Sequence, residues 1–290
     1  MKHTGWGKAG LVVLVALTLT SGLAAKVESL AGLDFGPLEA REVKVFVPDV
    51  VTGATPVLIA LDGQNMAAWR LEDALAEAAR NGRVVPMVIA IPSSRNRLEE
   101  YGLAESLDFA GRGTQAAAFQ RWVVSTLLPA VQARYALRLD PARTGVMGSS
   151  LGGLAAFDLA WRFPQVFGWA GIFSGSFWWR GQDGSAAQQQ ASRLAHRLVR
   201  ESAARPMTQR LWFSAGTREE TSDRDGNGVI DAVQDTTELI DELVAKGWTR
   251  GERITYVQLE GGEHNEASWA RLLPAFLEWA LPRRSGPGRE

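Results

Sequence analysis

The sequence predicts a single α/β domain: a mainly parallel, doubly wound sheet flanked by helices, with no large lid domain. Three observations predict it. Short apolar runs alternate with helical patterns almost from end to end, which is the signature of strand–helix–strand units. Residues 55–61 and 84–91 are apolar without alternation, as strands covered on both faces are. One further run, through Val146 and Met147, enters Gly148-Ser149-Ser150-Leu151-Gly152, and an Ala/Leu-rich helical pattern leaves it through Leu154, Ala155, Ala156 and Phe157. A G-x-S-x-G turn between a strand and a helix is the setting of a nucleophile elbow, where sharp turning holds a serine clear of the sheet at the positive end of the helix.

In chain order, residues 1–25 stand apart from the domain. Lys2 and Lys8 are followed by an apolar core from Leu11 to Leu17, shorter than a membrane span, and then by Ser21, Gly22, Ala24 and Ala25. This is the plan of an export signal cleaved near Ala24 or Ala25, with an uncleaved anchor as the competing reading. An exported protein, periplasmic or extracellular, is therefore expected. Residues 42–47 alternate charged and apolar, as a half-buried strand does, and 55–61 end in the turn Asp62-Gly63-Gln64-Asn65. Residues 71–80 read as an amphipathic helix closed by Asn81-Gly82, and 84–91 as the next strand. A long helix is expected over 115–135 and a polar, Gln- and Arg-rich one over 186–202. Strands are expected over 168–173, 211–215 and 254–259, and helices over 235–246 and 267–281. The catalytic domain is placed at 26–283. The Pro/Gly/Arg-rich tail, 284–290, reads as disordered.

Composition narrows the function. The formal net charge is −1 and no long basic run is present, which argues against nucleic-acid binding and against capture by an anionic surface. The chain has no cysteine, which removes disulfide, thiol and lipoprotein chemistry.

A serine nucleophile needs a base and an acid to orient that base. The 3 histidines are His3, His196 and His264. His3 lies in the export signal. His196 sits among Arg193 and Arg197 and reads as a solvated surface residue. His264 follows the last apolar strand in Glu260-Gly261-Gly262-Glu263-His264-Asn265, at a strand's C-terminal edge where open sheets place chemistry. The acid belongs between serine and histidine in the chain. Glu219, in Gly216-Thr217-Arg218-Glu219-Glu220, is favoured, with Glu220 and Asp223 as alternatives.

Taken together, the chain resembles the esterase D / enterochelin esterase / antigen 85 group of α/β-hydrolases. The resemblance rests on the Asp62-Gly63-Gln64-Asn65 turn, the Ser150 elbow and Ser174-Gly175-Ser176-Phe177-Trp178-Trp179. It rests equally on the Glu219 segment and on Gly262-Glu263-His264-Asn265-Glu266-Ala267-Ser268-Trp269. It spans nearly all of residues 43–281. It implies an α/β-hydrolase fold with Ser150 as nucleophile, His264 as base and Glu219 as acid. It also implies an oxyanion hole made by the N–H groups of Gln64 and Leu151. Trp178 and Trp179 are then expected either to line the substrate pocket or to fill the core.

Asp223-Arg224-Asp225-Gly226-Asn227-Gly228-Val229-Ile230-Asp231 stands outside that plan. It matches the start of an EF-hand loop, with side-chain oxygens from Asp223, Asp225, Asn227 and Asp231 and the carbonyl of Val229. Gln234 occupies the place of the usual bidentate glutamate. Two readings stand: a structural Ca²⁺ site that braces the acid, or a solvated Asp/Asn/Gly turn. No cofactor is needed for catalysis in either.

The expected function is a secreted serine carboxylester hydrolase acting on a small-molecule or carbohydrate-linked ester. Transfer of the acyl group to a sugar hydroxyl is the alternative, and a non-catalytic binding module on a hydrolase scaffold is the third reading. Arg95 and Arg97, on the loop after 84–91, are candidates to face an anionic siderophore lactone.

Overall fold

The computed structural model describes residues 26–203 and 208–284. The expected export signal and all but the first residue of the predicted disordered tail lie outside these.

Eight strands form one sheet: β1 Lys26–Leu30, β2 Val43–Val47, β3 Val57–Leu61, β4 Met87–Ile91, β5 Thr144–Ser149, β6 Trp169–Phe173, β7 Arg210–Gly216 and β8 Ile254–Leu259. Their spatial order is β1-β2-β4-β3-β5-β6-β7-β8. β1 and β2 run antiparallel to their neighbours, and every pairing from β4 to β8 is parallel. The predicted mainly parallel sheet is therefore present. β1 was not foreseen. It is an edge strand whose side chains are mostly exposed, so it lacks the apolar run that marks the central strands.

The helices are α1 Leu71–Arg80, α2 Arg97–Glu100, α3 Ala116–Trp122, α4 Leu128–Tyr135, α5 Leu151–Arg162, α6 Ala186–Ala191, α7 Leu194–Glu201, α8 Asp231–Ala245 and α9 Glu266–Ala280. Strand periodicity decides which face each helix covers. On β3, Val57, Ile59 and Leu61 join the core beneath α3, α4, α5, α7 and α8, while Leu58 and Ala60 point to the core formed with α1 and α9. Both faces are thus buried, which is why 55–61 carries no polar alternation.

Two predicted helices are interrupted. The 115–135 stretch passes through a π-helical turn, Val123–Leu127. Pro129 follows it at the start of α4; proline cannot donate to the carbonyl four residues back and crowds it, so the chain widens there. The 186–202 stretch breaks between α6 and α7, where Arg193 adopts an extended backbone.

Candidate active site

Four strand ends, those of β3, β5, β7 and β8, carry the predicted triad and oxyanion residues. Ser150 connects β5 to α5 with φ 57° and ψ −125°, the strained backbone expected of an elbow. Its N–H donates to the Phe173 carbonyl at 3.0 Å, and its own carbonyl accepts from Ser176 N at 3.0 Å. Neighbouring β6 therefore holds the strained residue in place. A Cβ on Gly148 would lie 2.3 Å from the Gly152 carbonyl oxygen, so strand and helix could not approach as they do with any other residue there.

The acid and base segments meet by the same device. A Cβ on Gly216 would fall 2.3 Å from the Gly262 carbonyl oxygen. Arg218 N donates to that carbonyl at 2.8 Å, and Gly261 N donates to Thr217 Oγ1 at 2.9 Å. This stitching of the ends of β7 and β8 brings Glu219 Oε2 to 2.9 Å from His264 Nδ1. A carboxylate only accepts, so Nδ1 carries the proton, and in the neutral ring Nε2 presents its lone pair. The His264 side chain is 40% exposed and that of Glu219 only 2%, so the carboxylate is sealed behind the imidazole.

Of the three acid candidates, Glu219 is the one in contact with His264. Glu220 accepts from Ala232 N at 2.6 Å, and burial raises its carboxyl above the ordinary range. Asp223 accepts from Asn227 N and Gly228 N in its own turn.

A cavity of about 240 Å³ is lined by Ser174, Ser176, Trp178, Glu219, Glu220 and His264, among others. Ser150 Oγ lies 3.3 Å from Ser176 Oγ, so the elbow hydroxyl abuts this wall. Another hollow, of about 520 Å³, opens among Thr55, Val84 and Val85, ahead of β3 and β4, away from these residues.

Gln64 lies in a 3-10 turn, Gly63–Asn65, directly after β3, and Leu151 is the first residue of α5. A helix's first amides lack intrahelical acceptors, which leaves the Leu151 N–H available for an oxyanion. The Gln64 side chain is fixed by accepting from Ser93 N at 2.9 Å. Asp62 ties this turn to the elbow. Its backbone is left-handed (φ 54°), and its carboxylate pairs with both Arg97 Nε (2.8 Å) and Nη2 (2.6 Å). Arg97 Nη2 also reaches the Ser149 carbonyl at 3.3 Å.

Two expectations for substrate contacts concern the loops after β4 and β6. Arg97 is committed to Asp62, and Arg95, almost fully exposed, pairs with Glu39 at 3.3 Å; neither lines the cavity. Trp178 lines the cavity, whereas Trp179 is fully buried against Gly102 and Gly113 and belongs to the core. The Arg112 guanidinium lies over both indole rings, 5.8 Å from that of Trp178 and 5.4 Å from that of Trp179.

His196 corrects a third expectation. It is 1% exposed, not solvated, because α8 covers α7. Burial and the nearby Arg193, Arg200 and Arg224 hold its pKa well below the ordinary value.

The Asp223–Asp231 loop does not form a cage. Asp223 and Asn227 accept backbone amides of the loop itself. Asp225 accepts from Asn227 N and from the Gln234 side chain. Asp231 accepts from Arg224 N, and the Arg224 guanidinium pairs with Asp235. Among the described residues no group of three or more His, Cys, Asp or Glu side chains is gathered as ligands. These bonds are those of an Asp/Asn/Gly turn, and the Arg224 guanidinium beside Asp231 and Asp235 disfavours a cation there.

Sequence reasoning missed the groups behind Glu219. Gly216 N and Ser174 Oγ both donate to its Oε1, the latter at 2.5 Å, and Trp269 Nε1 donates to Ser174 Oγ at 2.8 Å. The Ser-x-Ser segment was the available signal, but nothing local says which carboxylate a serine 45 residues away will meet.

Comparison with known proteins shows the family and the fold. The family model described as "Putative esterase" matches residues 38–280. A Bacillus subtilis (strain 168) protein, YbbA, described only as uncharacterized, is 23% identical over 235 residues, 79% of this chain and 86% of its own length. Among solved structures, the enterobactin esterase of Shigella flexneri superposes with a TM-score of 0.68 at 22% identity, over 89% of this chain. This chain spans 59% of that protein's length. A ferulic acid esterase superposes with a TM-score of 0.63 at 15% identity, over 88% of this chain and 97% of its own length. At such identities these structures speak for the fold.

Proposed function

Because the chain belongs to the "Putative esterase" family and is a carboxylic ester hydrolase by that membership, we propose that it works through an acyl-enzyme on Ser150. The observation that carries the reading is the 2.9 Å contact between His264 Nδ1 and the buried carboxylate of Glu219. It supplies a base of fixed tautomer at the cavity that the elbow adjoins.

In this mechanism His264 Nε2 takes the Ser150 hydroxyl proton as Oγ attacks the ester carbonyl carbon. The N–H groups of Leu151 and Gln64 stabilise the resulting oxyanion, and Glu219 stabilises the imidazolium. Collapse expels the alcohol, which leaves with the proton from His264. Water, deprotonated by the same nitrogen, then attacks the acyl carbon; the bond to Ser150 Oγ breaks, Oγ takes the proton back from His264, and the carboxylic acid departs. The order of events needs no metal.

The cavity lining includes no Lys or Arg, which favours a neutral ester over a strongly anionic one. Export to the periplasm or the cell exterior, by way of the signal at residues 1–25, is part of the proposal. A sugar hydroxyl replacing water would make the enzyme a transferase with the same triad, and product analysis with and without a polyol distinguishes the two.

The test is Ser150→Ala with p-nitrophenyl acetate. Loss of about 10³-fold or more in kcat is expected. Equal release of p-nitrophenol by variant and wild type overturns the mechanism and returns the scaffold to a binding role.

A further inference from the structure

We propose that Ser174, held by Trp269, is a positioning residue that fixes the Glu219 carboxylate for His264; this rests on the triad proposed above. The chain of donors has only one possible direction. An indole nitrogen donates and cannot accept, so Trp269 Nε1–H at 2.8 Å uses a lone pair of Ser174 Oγ. Ser174 then has one hydrogen left, and it points to Glu219 Oε1 at 2.5 Å. Gly216 N donates to the same oxygen. With Oε1 held by two donors, Oε2 is the oxygen turned to His264.

The groups behind this chain are rigid. Ser174 is 5% exposed and Trp269 likewise 5%. The Trp269 ring packs on Trp69, centroids 5.6 Å apart, and meets the His264 ring edge-on at 5.3 Å and 84°. One indole at the start of α9 therefore sets the Ser174 hydroxyl and, through a ring edge that phenylalanine keeps, borders the imidazole. A glutamate has one more rotatable bond than an aspartate, and three donors from three separate segments remove that freedom.

The backbone shows a cost at this serine. Ser174 has φ 49°, in the left-handed region that favours glycine. Glycine would suit the conformation better, yet the residue present carries the hydroxyl. This makes Ser174→Gly an informative variant, because it removes the hydroxyl while relieving the backbone.

The experiment measures kcat and KM for p-nitrophenyl acetate, with melting temperature, for Ser174→Gly, Trp269→Phe and the double variant. Expected for Ser174→Gly is a fall of about 10- to 100-fold in kcat. KM should stay within about twofold and the melting temperature should be equal or higher. Trp269→Phe keeps a ring but frees the hydroxyl, so its loss is smaller. The double variant loses no more than Ser174→Gly alone, because both act through one chain. A wild-type kcat in Ser174→Gly overturns the inference, as does a double variant whose losses multiply. If Ser174→Gly folds poorly, Trp269→Phe decides alone, and its wild-type kcat overturns the inference. These failures differ from failure of the triad, in which Ser150→Ala itself retains the rate.

Discussion

Two acidic stretches lie side by side after β7, and they are held in opposite ways. Glu219 is sealed from solvent and receives donors from Gly216, from Ser174 on the loop after β6 and from His264 beyond β8. A few residues on, Asp223 and Asn227 accept amides of their own loop, and Asp225 reaches no farther than Gln234. A carboxylate that collects donors from distant segments fixes those segments relative to each other. One that collects its own neighbours' amides shapes a turn. The difference separates an acid that can orient a base from a run of acids that merely shapes the turn into α8.

The largest expected effect breaks this contrast directly. Glu219→Gln replaces an acceptor by an amide that can present a donor to Nδ1, favouring the wrong tautomer of His264. A loss of about 10³- to 10⁴-fold in kcat is expected. Asp223→Asn, a chemically equal change in the neighbouring stretch, should leave kcat within about twofold. Steady-state kinetics on both variants checks it, and comparable losses would erase the distinction.

The sequence revealed what is local and left dark what is long-range. The elbow is legible because Gly148, Ser150 and Gly152 fall within five residues and must turn between a strand and a helix. His264 is legible because so few histidines compete, and the acid loop because it follows a strand between serine and histidine, with Glu219 singled out by the resemblance. β1 is not legible, since an exposed edge strand needs no apolar pattern. Nor is the Ser174–Glu219 bond, made by residues far apart in sequence. His196 was misread for the same reason. Its neighbours Arg193 and Arg197 look like a solvated face, but Arg193 is 5% exposed and pairs with Asp235 of α8. His196 Nε2 bonds the Asp235 carbonyl at 2.9 Å, and its Nδ1 finds no partner among the described residues.

That buried imidazole gives a second, intermediate prediction, and it tests whether α7 and α8 are wired over long range as Glu219 is. The folded pKa lies well below the ordinary 6.5, so below about pH 6.5 the unfolded chain binds a proton that the folded one refuses. Stability contributed by the neutral ring is therefore full above that pH and falls as pH drops through it. Between pH 7.5 and 5.5 the wild type should lose about 1.4 kcal/mol more than His196→Gln, measured by urea unfolding. Parallel losses in the two proteins would mean that the ring is protonated when folded.

The smallest effect belongs to the loop that the sequence offered as a metal site. Its oxygens already have partners, and an Arg224 guanidinium lies against Asp231 and Asp235, where a cation would meet repulsion. Urea unfolding in 1 mM Ca²⁺ and in EDTA should therefore differ by less than about 0.5 kcal/mol. An ion bound at 100 times its dissociation constant would instead stabilise by about 2.7 kcal/mol. A difference of that size would require Asp223, Asp225 and Asp231 to release their present donors and turn inward. The local stretch would then hold Glu219 after all, and the line drawn between the two acidic stretches would have to be moved.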